Sequence, residues 1–332
     1  MKNLIVRKTA FFLFTLFIAQ TSNGAIDLRE SSFSHTANDL SSLTRRYHSR
    51  SNRSGPLGFG WCFAFDVRLI KVNDSLRRIH ECGANSEFID FVPVPAAKGV
   101  WQNPADPHDR LFEADGQISR PSRFQTFDAK TGRTISFKLS PTKTAQLFYE
   151  ADQIKELRVS DGFWFRFQYN PQTQMIERVL ASNGESVTYI HNSRDLIEVR
   201  QGKKTLWRYR YDDFHNLSSI HQGARLVAEL KYDALNDRVI GYRPAQGCKD
   251  SYSYSESRTK GEEAFIADVE RSCGGNMKSK ARFKFLYREL GLSRRLLAQM
   301  TIETNEEQTI ISFDRKTGRA LSIEKLKATR RL

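Results

Sequence analysis

YDDFHNLSSI, spanning Tyr211–Ile220, decides the fold, because its grammar returns as YDALNDRVIGY from Tyr232, FDAKTGRTISF from Phe127 and FDRKTGRALSI from Phe313. Each copy starts on a large ring, follows it with an acid, passes through a short polar turn and opens the next run on an aliphatic residue. A ring suits the half-buried end of a strand, and an Asx side chain accepts hydrogen bonds from the backbone just ahead. Gly or Asn tolerates the left-handed position that such a turn needs. Four strand-turn-strand corners are therefore expected, at Phe127 with Asp128, Tyr211 with Asp212, Tyr232 with Asp233 and Phe313 with Asp314.

The runs between the corners read as strands. In WRYRY, Trp207, Tyr209 and Tyr211 share one face and Arg208 and Arg210 the other, which is period-two alternation. FWFRFQY puts Phe163, Phe165, Phe167 and Tyr169 on one face, and RFKFLY does the same with Phe283, Phe285 and Tyr287. Half-buried sheets favour such residues, so these rows are expected to be core or cross-strand ladders rather than ligand platforms. Tyr169, His191, Tyr211 and Tyr232 follow one another at 22, 20 and 21 residues, each with Asn or Asp next, as in Tyr169–Asn170. A period near twenty is one strand pair plus two turns, the mark of an array of repeats.

At this point the pattern resembles the Rhs, or tyrosine-aspartate (YD), repeat family of exported bacterial proteins, and with it the shell of animal teneurins. The copy most similar to the family's unit is Tyr209, Tyr211, Asp212, Leu217 and Ile220, with His215 where the family has glycine and Asn216 beside it to take the turn. LTRRYHSRSNRSGPLGFGW, with Gly58, Gly60 and Trp61, looks like the segment that opens many Rhs proteins. The resemblance covers roughly residues 38 to 325. It implies an all-β protein of repeated antiparallel β-hairpins forming a curved, spiralling sheet or partial shell. Family shells that enclose a toxin are much longer and end in an Asp-Pro-x-Gly type self-cleavage segment. Asp106-Pro107 lies early, precedes His108-Asp109 and does not match that element. A short, stand-alone module without a toxin domain is expected.

Outside the repeats, residues 1–25 read as a signal peptide: Lys2, Arg7 and Lys8 precede the apolar run TAFFLFTLFIA, which is too short for a stable membrane-spanning helix. No later stretch is apolar enough to span. The chain is then divided into a lead-in over 26–42, an N-terminal β region over 43–160, a repeat region over 161–325 and a basic tail over 326–332. Residues 26–42 and the polar stretch Ser255–Glu263 are expected to be loop or cap. In an exported chain the four cysteines should pair. Of three connectivities, Cys62 with Cys82 and Cys248 with Cys273 is the simplest, each pair bracketing a hairpin and contributing on the order of 3 kcal/mol.

The chain carries a formal charge of +14 and remains basic by about eleven charges without its leader. Such an excess favours acidic partners, although most of the bases are scattered as on a solvated face. Lys278, Lys280, Arg282 and Lys284, alternating through KSKARFKF, are the candidate binding row, with the terminal run Lys325, Lys327, Arg330 and Arg331 as a second cluster. No His-Glu-x-x-His, Gly-x-Ser-x-Gly or phosphate-cradling glycine loop is present, so no catalytic residue, metal or cofactor is assigned. The expected function is an exported structural or binding module, not an enzyme, that presents a β surface to a glycan, in particular an anionic one, or to a protein of the cell envelope. It would sit in the periplasm, at the surface or outside. No specific nucleic-acid signal is seen. The alternatives are a shell or chaperone around a separately encoded partner and, further off, a glycan-cleaving enzyme needing two carboxylates across one cleft.

Overall fold

The computed structural model describes residues 24–40, 43–51, 53–73, 77–80, 82, 88–104, 106–259, 262–274, 278–289, 295–314 and 320–328. The signal peptide expected over 1–25 lies almost wholly outside them. Among the described residues every element is a β-strand, apart from one 3₁₀ turn at Pro121–Arg123. The chain groups into two compact units. One takes in His35–Tyr211 with His221–Arg225, and the other the described parts of 1–34, 212–220 and 226–332.

In the first unit, from Arg68–Lys71 to Lys204–Tyr211, each strand pairs antiparallel with the next in sequence, as Lys143–Glu150 does with Gln153–Val159, that strand with Trp164–Tyr169, and that in turn with Ile176–Ala181, whereas upstream of them Leu43–His48 pairs with Trp61–Phe63. In the second unit the long strands Lys249–Thr259, Glu262–Ser272, Lys278–Glu289 and Arg295–Thr304 pair in the same serial way. The alternation read in the sequence sets the two faces. Phe165, Phe167, Trp207, Tyr209, Phe283, Phe285 and Tyr287 are buried, while Arg166, Arg208, Arg210, Arg282 and Lys284 are exposed. The aromatic rows are core and do not form a ligand platform. A second part of the core, at the start of the first unit, gathers Val67, Leu69, Ile79, Phe91, Trp101, Leu111, Ile118 and Phe127.

The repeat has a specific structural content. A register shift falls immediately before the ring at Phe127, Tyr149, Tyr169, His191, Tyr232 and Phe313. Such bulges bend the strand and increase its twist. The residue after the ring closes the turn as expected. Asp128 Oδ1 accepts from the Thr131 N–H at 2.6 Å, Asn170 Oδ1 from Gln172 and Thr173 at 3.0 Å, Asp212 Oδ1 from Phe214 at 3.0 Å and Asp233 Oδ1 from Leu235 at 3.0 Å. The Thr131 hydroxyl and N–H hold the Asp128 carboxyl below its ordinary value. The turn after Phe313 and Asp314 lies outside the described residues.

His215 corrects one reading. It takes the left-handed conformation itself, at φ 66°, as do Gly132, Gln174 and Asp237 in the other turns. Asn216 is instead buried, and its Nδ2 donates to Asp237 Oδ1 at 2.9 Å, joining this turn to the next. A side chain held in that region costs about 1–2 kcal/mol. Glycine escapes the cost but loses more chain entropy on folding. His215→Gly should therefore raise unfolding free energy by about 0.5–1 kcal/mol, read as a higher urea midpoint with an unchanged slope.

Four other expectations differ from what is seen. The lead-in 26–42 carries the strands Gly24–Asp27 and Ser32–Leu40. Its buried positions include Ser32, His35 and Ala37, so small and polar residues conceal the alternation. The stretch Ser255–Glu263, over its described residues 255–259 and 262–263, belongs to paired strands, with Ser257 opposite Ala264 and Arg258 opposite Glu263. Its exposed side chains gave no apolar signal for pairing that rests on the main chain. The strand Ala320–Lys327 runs two residues into the expected basic tail, with Lys327 opposite Glu307. The boundary expected at 160/161 falls inside a paired hairpin, whereas the two units divide near 211.

Candidate interaction surfaces

Five tyrosines define how one repeat grips the one before it. The hydroxyls of Tyr149, Tyr169, Tyr211, Tyr232 and Tyr254 donate to the carbonyls of Thr134, Ile154, Leu196, Leu217 and Val239, at 2.7–3.1 Å and always 15 residues upstream. In four cases where the pairing is seen, the acceptor is the residue opposite the preceding ring: Thr134 faces Phe127, Ile154 faces Tyr149, Leu196 faces His191 and Val239 faces Tyr232. Each phenol thus closes the corner of its predecessor. Burial pushes the phenols of Tyr149, Tyr169 and Tyr211 above their ordinary value, which keeps them protonated as donors. Tyr149 and Tyr254 are followed by Glu150 and Ser255, so a search for Tyr-Asp passes over them. Their spacing of 20 and 22 residues from Tyr169 and Tyr232 would have found them.

The series breaks once, at His191, and there the N-terminal glycine-rich segment enters. His191 Nε2 lies 3.3 Å from the Leu57 carbonyl, the Ile176 N–H donates to Pro56 O at 2.8 Å and the Phe59 N–H donates to Arg194 O at 2.8 Å. Gly58 has φ 108°, and a Cβ there would stand 2.8 Å from the Arg194 carbonyl oxygen, so the main chains can meet only without a side chain. Gly60 hands its carbonyl to the His48 N–H at 3.0 Å. Trp61, fully buried, donates from Nε1 to the Tyr211 hydroxyl at 2.9 Å, and that hydroxyl in turn donates to Leu196. Gly58, Gly60 and Trp61 are therefore parts of a plug seated on the repeats. Burial outweighs the Leu57 contact and lowers the His191 pKa, favouring the neutral imidazole.

Beside this plug Arg45 and Asp39 form a buried ion pair. Arg45 Nε bonds Asp39 Oδ2 and its Nη2 bonds Oδ1 at 2.8 Å and the Tyr209 hydroxyl at 3.1 Å, while the Tyr189 hydroxyl donates to Asp39 Oδ2 at 2.9 Å. The guanidinium stands 4.5 Å from the Trp61 ring centre. Burial alone would lower the Arg45 pKa, but the Asp39 charge and the phenols outweigh it and hold it above its ordinary value. Arg45 Nη1 is buried without a hydrogen-bond partner among the described residues, while Nε, Nη2 and both Asp39 oxygens are paired from within, so the cluster locks the Leu43–His48 strand to the repeats.

The expected binding row sits in the second unit. Lys278, Lys280, Arg282 and Lys284 are exposed along one face of their strand. Across the sheet, however, Lys280 faces Glu270, and Arg282 lies between Asp268 and Glu303. Arg282 Nε donates to Asp268 Oδ1 at 2.7 Å, and this bond holds the guanidinium pKa up. Only Lys278, opposite Ser272, and Lys284, between Ile266 and Thr301, lack an acid directly across. These strands line a groove of about 980 Å³ with Ser253, Asp268, Glu270, Lys280, Arg282 and Glu303. The surface is a mixed-charge polar groove, more suited to hydroxyls and amides than to a dense polyanion.

The cysteines are paired as Cys62–Cys82 and Cys248–Cys273, with Cα atoms 5.9 and 4.2 Å apart. Such bridges belong to an oxidising compartment. Among the described residues no cluster of His, Cys, Asp and Glu could hold a metal ion, and no helix is long and apolar enough to cross a membrane.

Residues 21–88, which hold the plug and the whole lead-in, match a family model described as a domain of unknown function (DUF6531). No curated protein matches the chain. Among solved structures, a chain of the Photorhabdus luminescens Tc holotoxin pore is 10% identical over 90% of this chain, with a TM-score of 0.29, and this chain spans 19% of that one.

Proposed function

We propose that this protein is an exported, non-catalytic structural and binding module of the tyrosine-aspartate repeat type, which presents a polar β surface to a glycan or protein partner of the cell envelope. The observation that carries the reading is the fixed phenol-to-carbonyl contact repeated at five corners, which spends the chain's chemistry on holding a surface in shape. The leader-like N-terminus and the two disulfides support export. The groove around Arg282 is the surface offered, since its alternating acids and bases suit a partner that both donates and accepts hydrogen bonds. The test is a glycan array and an affinity capture from envelope extracts, run with the oxidised protein and with Arg282→Gln/Lys280→Gln. Retention of a defined glycan or envelope protein that the double variant loses supports the reading. Blank results in both assays, or a partner held equally by the variant, contradict it.

A further inference from the structure

A second concave site, in the first unit, is built by the turn of the Phe127 copy. The Leu69 N–H donates to Gly132 O at 2.8 Å, and Arg68 and Arg133 meet in an isolated antiparallel bridge. Residues opposed in this way have Cβ atoms about 4.5–5.5 Å apart, and like charges so placed repel. The two arginines line a pocket of about 310 Å³ together with Arg53, Asp66, Tyr149 and Asp152.

The charges around that pocket do not balance. Asp66 is held by Arg53, whose Nη2 lies 2.6 Å from Asp66 Oδ2 and whose Nη1 donates to Asp66 O at 3.2 Å. Arg68 and Arg133 are left to share the carboxylate of Asp152, which bonds Arg133 Nη2 and lies 3.9 Å from Arg68 Nη2. Asp152 is 82% exposed and reaches in from a surface turn. Arg133 Nη1 is bonded to the Ala151 carbonyl, while its Nε is buried and makes no hydrogen bond among the described residues. The wall is fixed independently of any occupant, because Tyr149 donates to Thr134 O at 2.9 Å and Thr134 Oγ1 to Val67 O at 2.5 Å.

We propose that this pocket binds a small organic carboxylate, which displaces the Asp152 side chain from Arg68 and Arg133. The planar forks of two arginines match a carboxylate better than a point cation would. Asp152 shows which group the pair accepts, and its exposure makes it the replaceable member. The volume sits at the lower end of ligand pockets, roughly 300–1,000 Å³, which sets the size at that of a sugar acid or an amino acid. This site is separate from the groove around Arg282 and stands whether or not that groove binds anything.

The test is calorimetric titration of the oxidised full chain with glucuronate, glucose as the neutral counterpart and sulfate as a tetrahedral anion. Saturable binding of glucuronate is expected, with none of glucose and weaker binding of sulfate. Arg68→Gln and Arg133→Gln should each weaken glucuronate at least about tenfold, and Asp152→Asn, at an exposed position that leaves the fold intact, should tighten it by about tenfold. Absence of saturable glucuronate binding, equal binding of glucose or sulfate, or an Asp152→Asn variant that binds no more tightly would overturn the proposal.

Discussion

Gly132→Ala is expected to cost about 3–5 kcal/mol of folding stability, because two penalties coincide. Gly132 sits at φ 70°, where a side chain is strained, and a Cβ built there would lie 1.8 Å from the Leu69 carbonyl oxygen. That atom is main chain and cannot swing aside, so the strand Arg68–Lys71 would have to leave the turn. Withdrawal would break the bond from Leu69 N–H to Gly132 O and uncover the core around Leu69, Ile79 and Phe127. Against a total stability of about 5–15 kcal/mol, such a loss is visible directly as a shift in the urea midpoint. The contrast with His215→Gly is the informative part. Both residues occupy the same step of the repeat turn, yet glycine is required at one for close approach and is merely easier at the other.

Asp39→Ala should cost about as much, some 3–5 kcal/mol, since it strands the Arg45 guanidinium in the interior. Arg45 is fully buried, and Asp39 accepts two of its three side-chain hydrogen bonds. The loss belongs to the orphaned charge more than to the pair itself. Arg45→Met in the Asp39→Ala background is therefore expected to recover part of it, giving a double variant more stable than the sum of the single losses allows. Equilibrium unfolding of the two single variants and the double variant closes the cycle, and strict additivity would mean that the two groups are not coupled.

The strands and corners were legible because they rest on local chemistry. Period-two alternation in WRYRY and RFKFLY sets the buried face, and an Asx side chain bonds the N–H groups two or three residues ahead whatever surrounds it. Cysteine pairing followed from compartment and proximity in sequence. What could not be read rests on contacts across the chain. Nothing local tells His191 that its ring will meet the Leu57 carbonyl. The basic row through Lys280 and Arg282 is neutralised by Asp268, Glu270 and Glu303, which lie on neighbouring strands and come into view only with the register. Likewise Arg68 and Arg133, 65 positions apart, are brought together by one glycine turn.

The most direct measurement is equilibrium unfolding of five hydroxyl deletions, Tyr149→Phe, Tyr169→Phe, Tyr211→Phe, Tyr232→Phe and Tyr254→Phe. Each removes one donor and leaves a carbonyl unpaired, so each should lose about 1 kcal/mol. Tyr211→Phe should lose the most, because its hydroxyl also accepts from Trp61 Nε1. If the phenols join successive repeats, all five variants fall below the parent protein, Tyr211→Phe the furthest. Five variants indistinguishable from the parent would mean that the corners hold without them, and the phenol-to-carbonyl contact would not be what makes this chain an array.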